Sequence, residues 1–337
     1  MYDQAAKVKE LIDSSKSIVI IQADNPDADS LGSALALEEI LGDTGKEIHL
    51  YCGVDIPSYL RYMDGWDRID KTIPNSIDLS IFVDVSTMTL LEKLVDTNEV
   101  NKLKNKPCIV LDHHEIVQNQ ISFASVTIND SGRASAGELI YLLTKQLGYK
   151  LNVRSQENIM SSILGDTQGL SNKLASPQTY RIMADIIEAG VDRPAHEEKR
   201  RQLAKMPEDI YRFKANLINK TNFAENNKIA YVSISQDEIN KYSPLYNPAP
   251  LIQSDMLMVD SVMMAIVFKI YSSGKFTAAI KSNQIAPVAN KLAENFGGGG
   301  HSFASGFKID NEPNPNQKIK DTLVKAIELL SEAHETI

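Results

Sequence analysis

The chain is expected to be α/β: a mostly parallel sheet with helices on both faces, then a smaller α+β domain reached through a helical linker. Two patterns lead there. Through the first half, short β-branched runs alternate with segments of helical spacing. Beyond about residue 228 that alternation gives way to strands, a hairpin signal and two further helices. Acidic residues also recur at the ends of the apolar runs, and in an open parallel sheet ligands bind beyond the carboxyl ends of the strands.

In order, residues 18–23 form a β-branched strand, and residues 31–41 place Leu31, Ala34, Leu35, Glu38 and Leu41 at helical spacing. Residues 47–51, 79–84, 108–111 and 125–128 read as strands, and 134–147 and 155–164 as helices. From 191 to 227, Arg193-Pro194, a charged run and Met206-Pro207 suggest a helical connector, within which His196 is expected to be solvated. Residues 228–234 make a strand, and 262–271 and 275–280 flank Ser272-Ser273-Gly274 as a hairpin. A short helix over 288–295, a strand over 305–309 and a helix over 317–332 complete the chain. The boundaries drawn are thus 1–190 for the first domain, 191–227 for the linker and 228–337 for the second.

At 337 residues the chain is long enough for two cores. With 43% hydrophobic and 23% charged residues it has the composition of an ordinary soluble protein, and no apolar stretch approaches the roughly 20 residues that span a bilayer. The opening Met1-Tyr2-Asp3-Gln4 does not resemble a secretory signal, and Cys52 and Cys108 read as buried thiols, so a cytoplasmic protein without membrane partners is expected. A net charge of −9 argues against coating long duplex nucleic acid but permits a small nucleotide in a locally positive cleft. The sequence allows a homodimer.

Five short motifs carry chemistry. Asp27 and Asp29 lie two apart in Asn25-Pro26-Asp27-Ala28-Asp29-Ser30, where their mutual repulsion calls for a cation. Capping by Asp29 or Ser30 would explain one residue and leave Asp27 over. Asp84 closes a strand. Asp112-His113-His114 follows the apolar run from Cys108 to Leu111, and Asp166 closes the run from Ser161 to Gly165. Mixed carboxylate and imidazole donors suit manganese or a related divalent ion better than calcium. Finally, Gly297-Gly298-Gly299-Gly300-His301 offers backbone amides for an anion nest, with Lys281 and Ser282 as further phosphate contacts.

These five motifs, in this order, resemble the DHH phosphoesterase family, in the branch with a DHH-associated C-terminal domain and within it the nanoRNase/pAp-phosphatase group. The resemblance implies a hydrolase of short oligonucleotides or of nucleoside 3′,5′-bisphosphates such as pAp, acting by metal-hydroxide attack on phosphorus. Rivals are a cyclic- or linear-dinucleotide phosphodiesterase, a RecJ-like single-strand exonuclease, and a nucleotide-binding sensor with weakened catalysis. It implies two divalent ions, usually manganese: Asp27 and Asp84 on one, Asp29, Asp84, His113 and Asp166 on the other. Asp84, His113 and His114 form the catalytic set, with His114 on the scissile phosphate and Asp112 orienting its neighbouring histidine. Lys281, Ser282, Gly299, Gly300 and His301 would grip the substrate from the second domain. The family ordinarily has arginine where Lys281 stands, and histidine where this chain has Ala23, which weakens the first metal position.

Overall fold

The computed structural model describes all residues except 115–118, 204, 244–245 and 335–337, with residue 334 by its backbone alone. It divides into two compact units, Met1–Lys205 and Met206–Ile337. The division falls inside the stretch read as a linker. Helix α7 (Arg193–Leu203) belongs to the first unit and α8 (Glu208–Lys220) to the second.

The first unit is built on six parallel strands in the order β3-β2-β1-β4-β5-β6. These are β1 (Ser17–Ile21), β2 (Glu47–Tyr51), β3 (Ile69–Asp70), β4 (Leu79–Val83), β5 (Cys108–Asp112) and β6 (Val126–Asn129). The helices before α7 are α1 (Ala5–Ser14), α2 (Ala28–Gly42), α3 (Glu92–Asp96), α4 (Ala136–Leu147), α5 (Val153–Asp166) and α6 (Pro177–Glu188). Along β1, Ile18 and Ile20 enter one apolar cluster with residues of α1, α2 and α4, while Val19 and Ile21 enter another on the opposite face. A central strand covered on both sides needs an unbroken aliphatic run, and the pattern of β1, β4 and β5 follows from that. Each such side chain contributes about 1.5–3 kcal/mol on burial.

Helices α2, α4 and α5 pack closely. A Cβ on Gly137 of α4 would stand 2.1 Å from Ser162 Oγ of α5, so only glycine admits this approach. The contact brings the Ser162 hydroxyl of α5 up to the first turn of α4.

His196 is not solvated. It is 4% exposed, with Nδ1 2.9 Å from Glu157 Oε1, Nε2 3.1 Å from Ser161 Oγ, and the Tyr62 ring edge-on at 5.4 Å. The charged residues of α7 share the helix with this inward histidine, and Arg200 and Arg201 pair with Glu197 instead. A segment so rich in charge conceals its inward side when one histidine forms it.

The second unit carries a mixed sheet in the order β11-β12-β10-β9-β8-β7, with β7 (Asn222–Ala224), β8 (Ile229–Ile234), β9 (Met264–Ile270), β10 (Phe276–Ser282), β11 (Gly299–Gly300) and β12 (Ala304–Ile309). Only β8 and β9 run parallel. Its later helices are α9 (Gln236–Tyr242), α10 (Pro248–Met256), α11 (Ala289–Glu294) and α12 (Pro315–His334). Among the described residues no helix is long and apolar enough to cross a membrane.

Candidate metal centre

Four elements of the first unit deliver the central donors. Asp29 stands in the first turn of α2, Asp84 directly after β4, His113 directly after β5, and Asp166 is the last residue of α5. Asp166 therefore closes a helix, the one expected over 155–164, which runs on through Gly165 to Asp166. His113 Nε2 is the hub. It lies 3.2 Å from Asp29 Oδ2, 3.1 Å from Asp166 Oδ2 and 3.5 Å from Asp84 Oδ1. Its other ring nitrogen is 3.3 Å from the carbonyl oxygen of Arg133, so Nδ1–H donates there and Nε2 is the atom turned to the three carboxylates.

Two groups of donor atoms are close enough to share an ion: Asp29, His113 and Asp166, and Asp84, His113 and His114. Both use His113. Asp84 adopts a left-handed φ of 57°, an uncommon backbone state that clusters at functional sites, and its Oδ1 is buried and accepts no hydrogen bond among the described residues. A buried carboxylate oxygen left this way fits a cation ligand better than a structural acceptor.

The electrostatics differ from one carboxylate to the next. Burial pushes the Asp29 carboxyl up, but hydrogen bonds and charge from His113, with bonds from Ser162 and the Ala136 N–H, hold it well below the usual carboxylate range. Burial, then the charge of Asp29, push Asp84 well above that range and Asp166 up to about 7. Burial works against a charged His113, yet the facing carboxylates of Asp166, Asp29 and Asp84 raise it far above an ordinary imidazole. The centre is an acidic cluster that wants positive charge in its middle.

His114 is set by Asp112. Asp112 Oδ1 accepts from the backbone N–H of His113 at 2.8 Å and of His114 at 3.2 Å, and lies 2.8 Å from His114 Nδ1. Burial lowers the affinity of His114 for a proton, but the Asp112 carboxylate outweighs it and the imidazole is raised.

Asp27 has another task. It is the N-cap of α2: its Oδ1 accepts from the Ser30 N–H at 2.9 Å, while the Ser30 hydroxyl accepts from the Asp27 N–H at 2.9 Å. The cap is therefore Asp27 itself and not Asp29 or Ser30, because Asp27 is the residue with extended backbone before the first turn. It joins neither donor group. Surrounding protein and the Asp29 charge push its carboxyl up. Ala23 is 5% exposed and packs in an apolar cluster with Ile21, Tyr51 and Val85. The neighbouring Asp24 is engaged elsewhere: its Oδ2 accepts from the Lys93 N–H at 2.7 Å and its Oδ1 stands against Gly53.

Residues the sequence did not single out hold Asp29 in place. They are Ser33, Ser162 and the N–H groups of Ala136 and Gly137. A faint signal existed in Ser161-Ser162, two hydroxyls in a buried stretch of α5.

In the second unit, Lys281 and Ser282 lie at the end of β10, with Lys281 opposite Ala304 of β12, and Gly299 and Gly300 pair with Gly306 and Ser305 on the other side of β12. These residues share one end of the sheet. Lys281 Nζ is 3.2 Å from Ser254 Oγ, and burial lowers its pKa; the Ser282 hydroxyl donates to the Ser302 carbonyl at 2.9 Å. His301 is exposed and forms a tight backbone turn with Ala304. Gly299 and Gly300 pair with β12 as a sheet edge, and Gly300 takes a φ of 134°, a backbone state that favours glycine. Gly298 is required by packing, because a Cβ there would stand 2.1 Å from the Gly306 carbonyl.

A Mycoplasma pneumoniae protein, the uncharacterized MG371 homolog, is 26% identical over 296 residues, covering 86% of this chain and 85% of its own. The Bacillus subtilis bifunctional oligoribonuclease and PAP phosphatase NrnA is 25% identical over 323 residues, covering 95% of this chain and 96% of its own. The crystal structure of an exopolyphosphatase-related protein from Bacteroides fragilis superposes with a TM-score of 0.83 at 20% identity, covering 97% of each chain, and shows the same fold. Residues 17–165 match the DHH family, N-terminal domain. That match takes in Asp29, Asp84 and His113, so this part of the chain is similar to the DHH family N-terminal domain.

Proposed function

We propose that the chain hydrolyses short oligoribonucleotides, nucleoside 3′,5′-bisphosphates of the pAp kind, or both, with manganese as its ion. The convergence of three carboxylates on one imidazole nitrogen carries this reading. The near full-length similarity to the Bacillus oligoribonuclease and PAP phosphatase supports the substrate class. Asp29, Asp84, His113 and Asp166 would hold one ion, and Asp27 and Asp84 a second. A divalent ion, when bound, supplies Lewis acidity toward a phosphoryl oxygen and acidifies water at neutral pH.

The protein's own groups do the rest. Asp112 fixes the His114 ring, whose raised proton affinity makes it a cationic contact for the scissile phosphate and a proton source for the leaving oxygen. Lys281, Ser282, Gly299, Gly300 and His301 would bind a second substrate phosphate. The test is incubation with labelled di- to pentaribonucleotides, a twenty-mer and pAp in manganese. Turnover of the short substrates and pAp is expected; cleavage of the twenty-mer alone would replace this reading with a single-strand exonuclease, and no turnover at all would reject it.

A second reading, a nucleotide sensor with weakened catalysis, is favoured by the apolar packing of Ala23 and the diversion of Asp24 to Lys93. It requires nucleotide binding without turnover in excess manganese.

A further inference from the structure

We infer that Ser162, with Ser33, is a hydroxyl clamp that fixes which oxygen of Asp29 meets the cation; this rests on the metal centre proposed above. Asp29 is 1% exposed and both of its oxygens are engaged. Its Oδ1 receives the Ser162 hydroxyl at 2.6 Å, the Ser33 hydroxyl at 3.0 Å and the Gly137 N–H at 3.3 Å. Its Oδ2 receives the Ala136 N–H at 2.8 Å and faces His113 Nε2 at 3.2 Å. Three donors on Oδ1 leave Oδ2 as the atom that faces the centre.

The proton positions follow from valence. The Gly137 N–H donates to Ser162 Oγ at 3.0 Å, and that direction is fixed because an amide nitrogen only donates. An ionised Asp29 carries no proton, so the Ser162 hydroxyl hydrogen points at Asp29. Ser135 Oγ lies 2.8 Å from Ser162 Oγ and must then donate to it, while accepting the Glu138 N–H at 3.1 Å as N-cap of α4. The hydroxyl hydrogens of this buried cluster then have one consistent arrangement, and the Gly137 N–H is shared between Ser162 Oγ and Asp29 Oδ1. Ser162 and Ser33 are both fully buried, and α2, α4 and α5 each send a donor to the same carboxylate. A carboxylate so held keeps its charge and orientation without a cation, which is what a preorganised ligand needs.

Ser162 acts through Asp29 and touches no substrate, so metal affinity is the readout. Ser162→Ala, Ser33→Ala and the unaltered chain are titrated with manganese chloride by calorimetry at one pH, and their melting temperatures are measured in chelator. Manganese affinity is expected to fall about 10–100-fold in Ser162→Ala, as for outer hydrogen-bond partners of metal ligands generally, and by less in Ser33→Ala. A folded Ser162→Ala with a lower melting temperature and unchanged manganese affinity would make the serine merely structural and overturn the inference. Should Ser162→Ala fail to fold, Ser33→Ala decides: weakened affinity supports the clamp and unchanged affinity overturns it. An unaltered chain that binds no manganese would instead sink the metal centre, and the clamp with it.

Discussion

The two aspartates of the first loop sit two residues apart and are treated in opposite ways. Asp29 is buried, receives donors from three helices and is held as an anion. Asp27 lies at the exposed edge, spends Oδ1 on the cap of α2 and is pushed toward the neutral form. The flanking positions follow the same division: Asp29 faces His113 and is joined there by Asp166, while Ala23 and Asp24 are absorbed by apolar packing and a backbone hydrogen bond. One side of the centre is fixed in place by donors from three helices; on the other, Oδ1 of Asp27 starts a helix. Proximity in sequence therefore says little about equivalence in chemistry.

The sharpest break in this contrast is Asp29→Ala. It removes a ligand and strands the Ala136 and Ser162 donors, so manganese binding and hydrolysis should fall by more than the ~100-fold that loss of an outer partner costs. Calorimetry and turnover of pAp check both.

Asp27→Asn should be much milder. Asparagine caps helices as well as aspartate, so stability should change by less than about 0.5 kcal/mol. Manganese should still bind on the Asp29 side, while turnover falls if Asp27 holds the second ion. Equal loss of manganese in both variants would erase the distinction.

Acidity offers a third handle, read by thermal melts in chelator. Asp166 is raised to about 7, so its contribution to stability is complete below the unfolded carboxylate value of about 3.9 and is lost as pH climbs through 7. His113 is raised too, so its contribution begins to fade above about 6.5. Asp29 is lowered; its contribution is already full above about 3.9 and vanishes only in strong acid. The melting temperature should thus fall between pH 5 and 8. Manganese should reverse the fall most strongly at the upper end, since its ligands must be deprotonated to bind.

A control lies away from the centre. His196→Ala deletes the buried partner of Glu157 and Ser161 and should cost about 1–3 kcal/mol in a denaturant melt, with manganese affinity unaltered. A change in affinity would mean that α7 is coupled to the ligand set.

Much of the first unit was legible in the sequence because its strands are buried on both faces. An aliphatic run such as Cys108 to Leu111, stopped by Asp112-His113-His114, admits few other readings. The helix before Asp166 was also legible, though its end falls two residues beyond the 155–164 read from the spacing. The division of labour between Asp27 and Asp29 depends on which residue carries the extended backbone before α2, a property of conformation rather than composition. The donors to Asp29 were out of reach altogether, because Ala136 lies 107 residues away and Ser162 133. In the second unit, the glycine run stood out in the sequence but its pairing with β12 did not, since strand register depends on a partner that composition does not name.

Anomalous scattering from crystals grown in manganese would test the metal centre most directly. The expected result is a peak bounded by Asp29, Asp84, His113 and Asp166, with Asp29 contributing Oδ2. A well-ordered crystal with no peak there, or with manganese only at other surfaces, would contradict it.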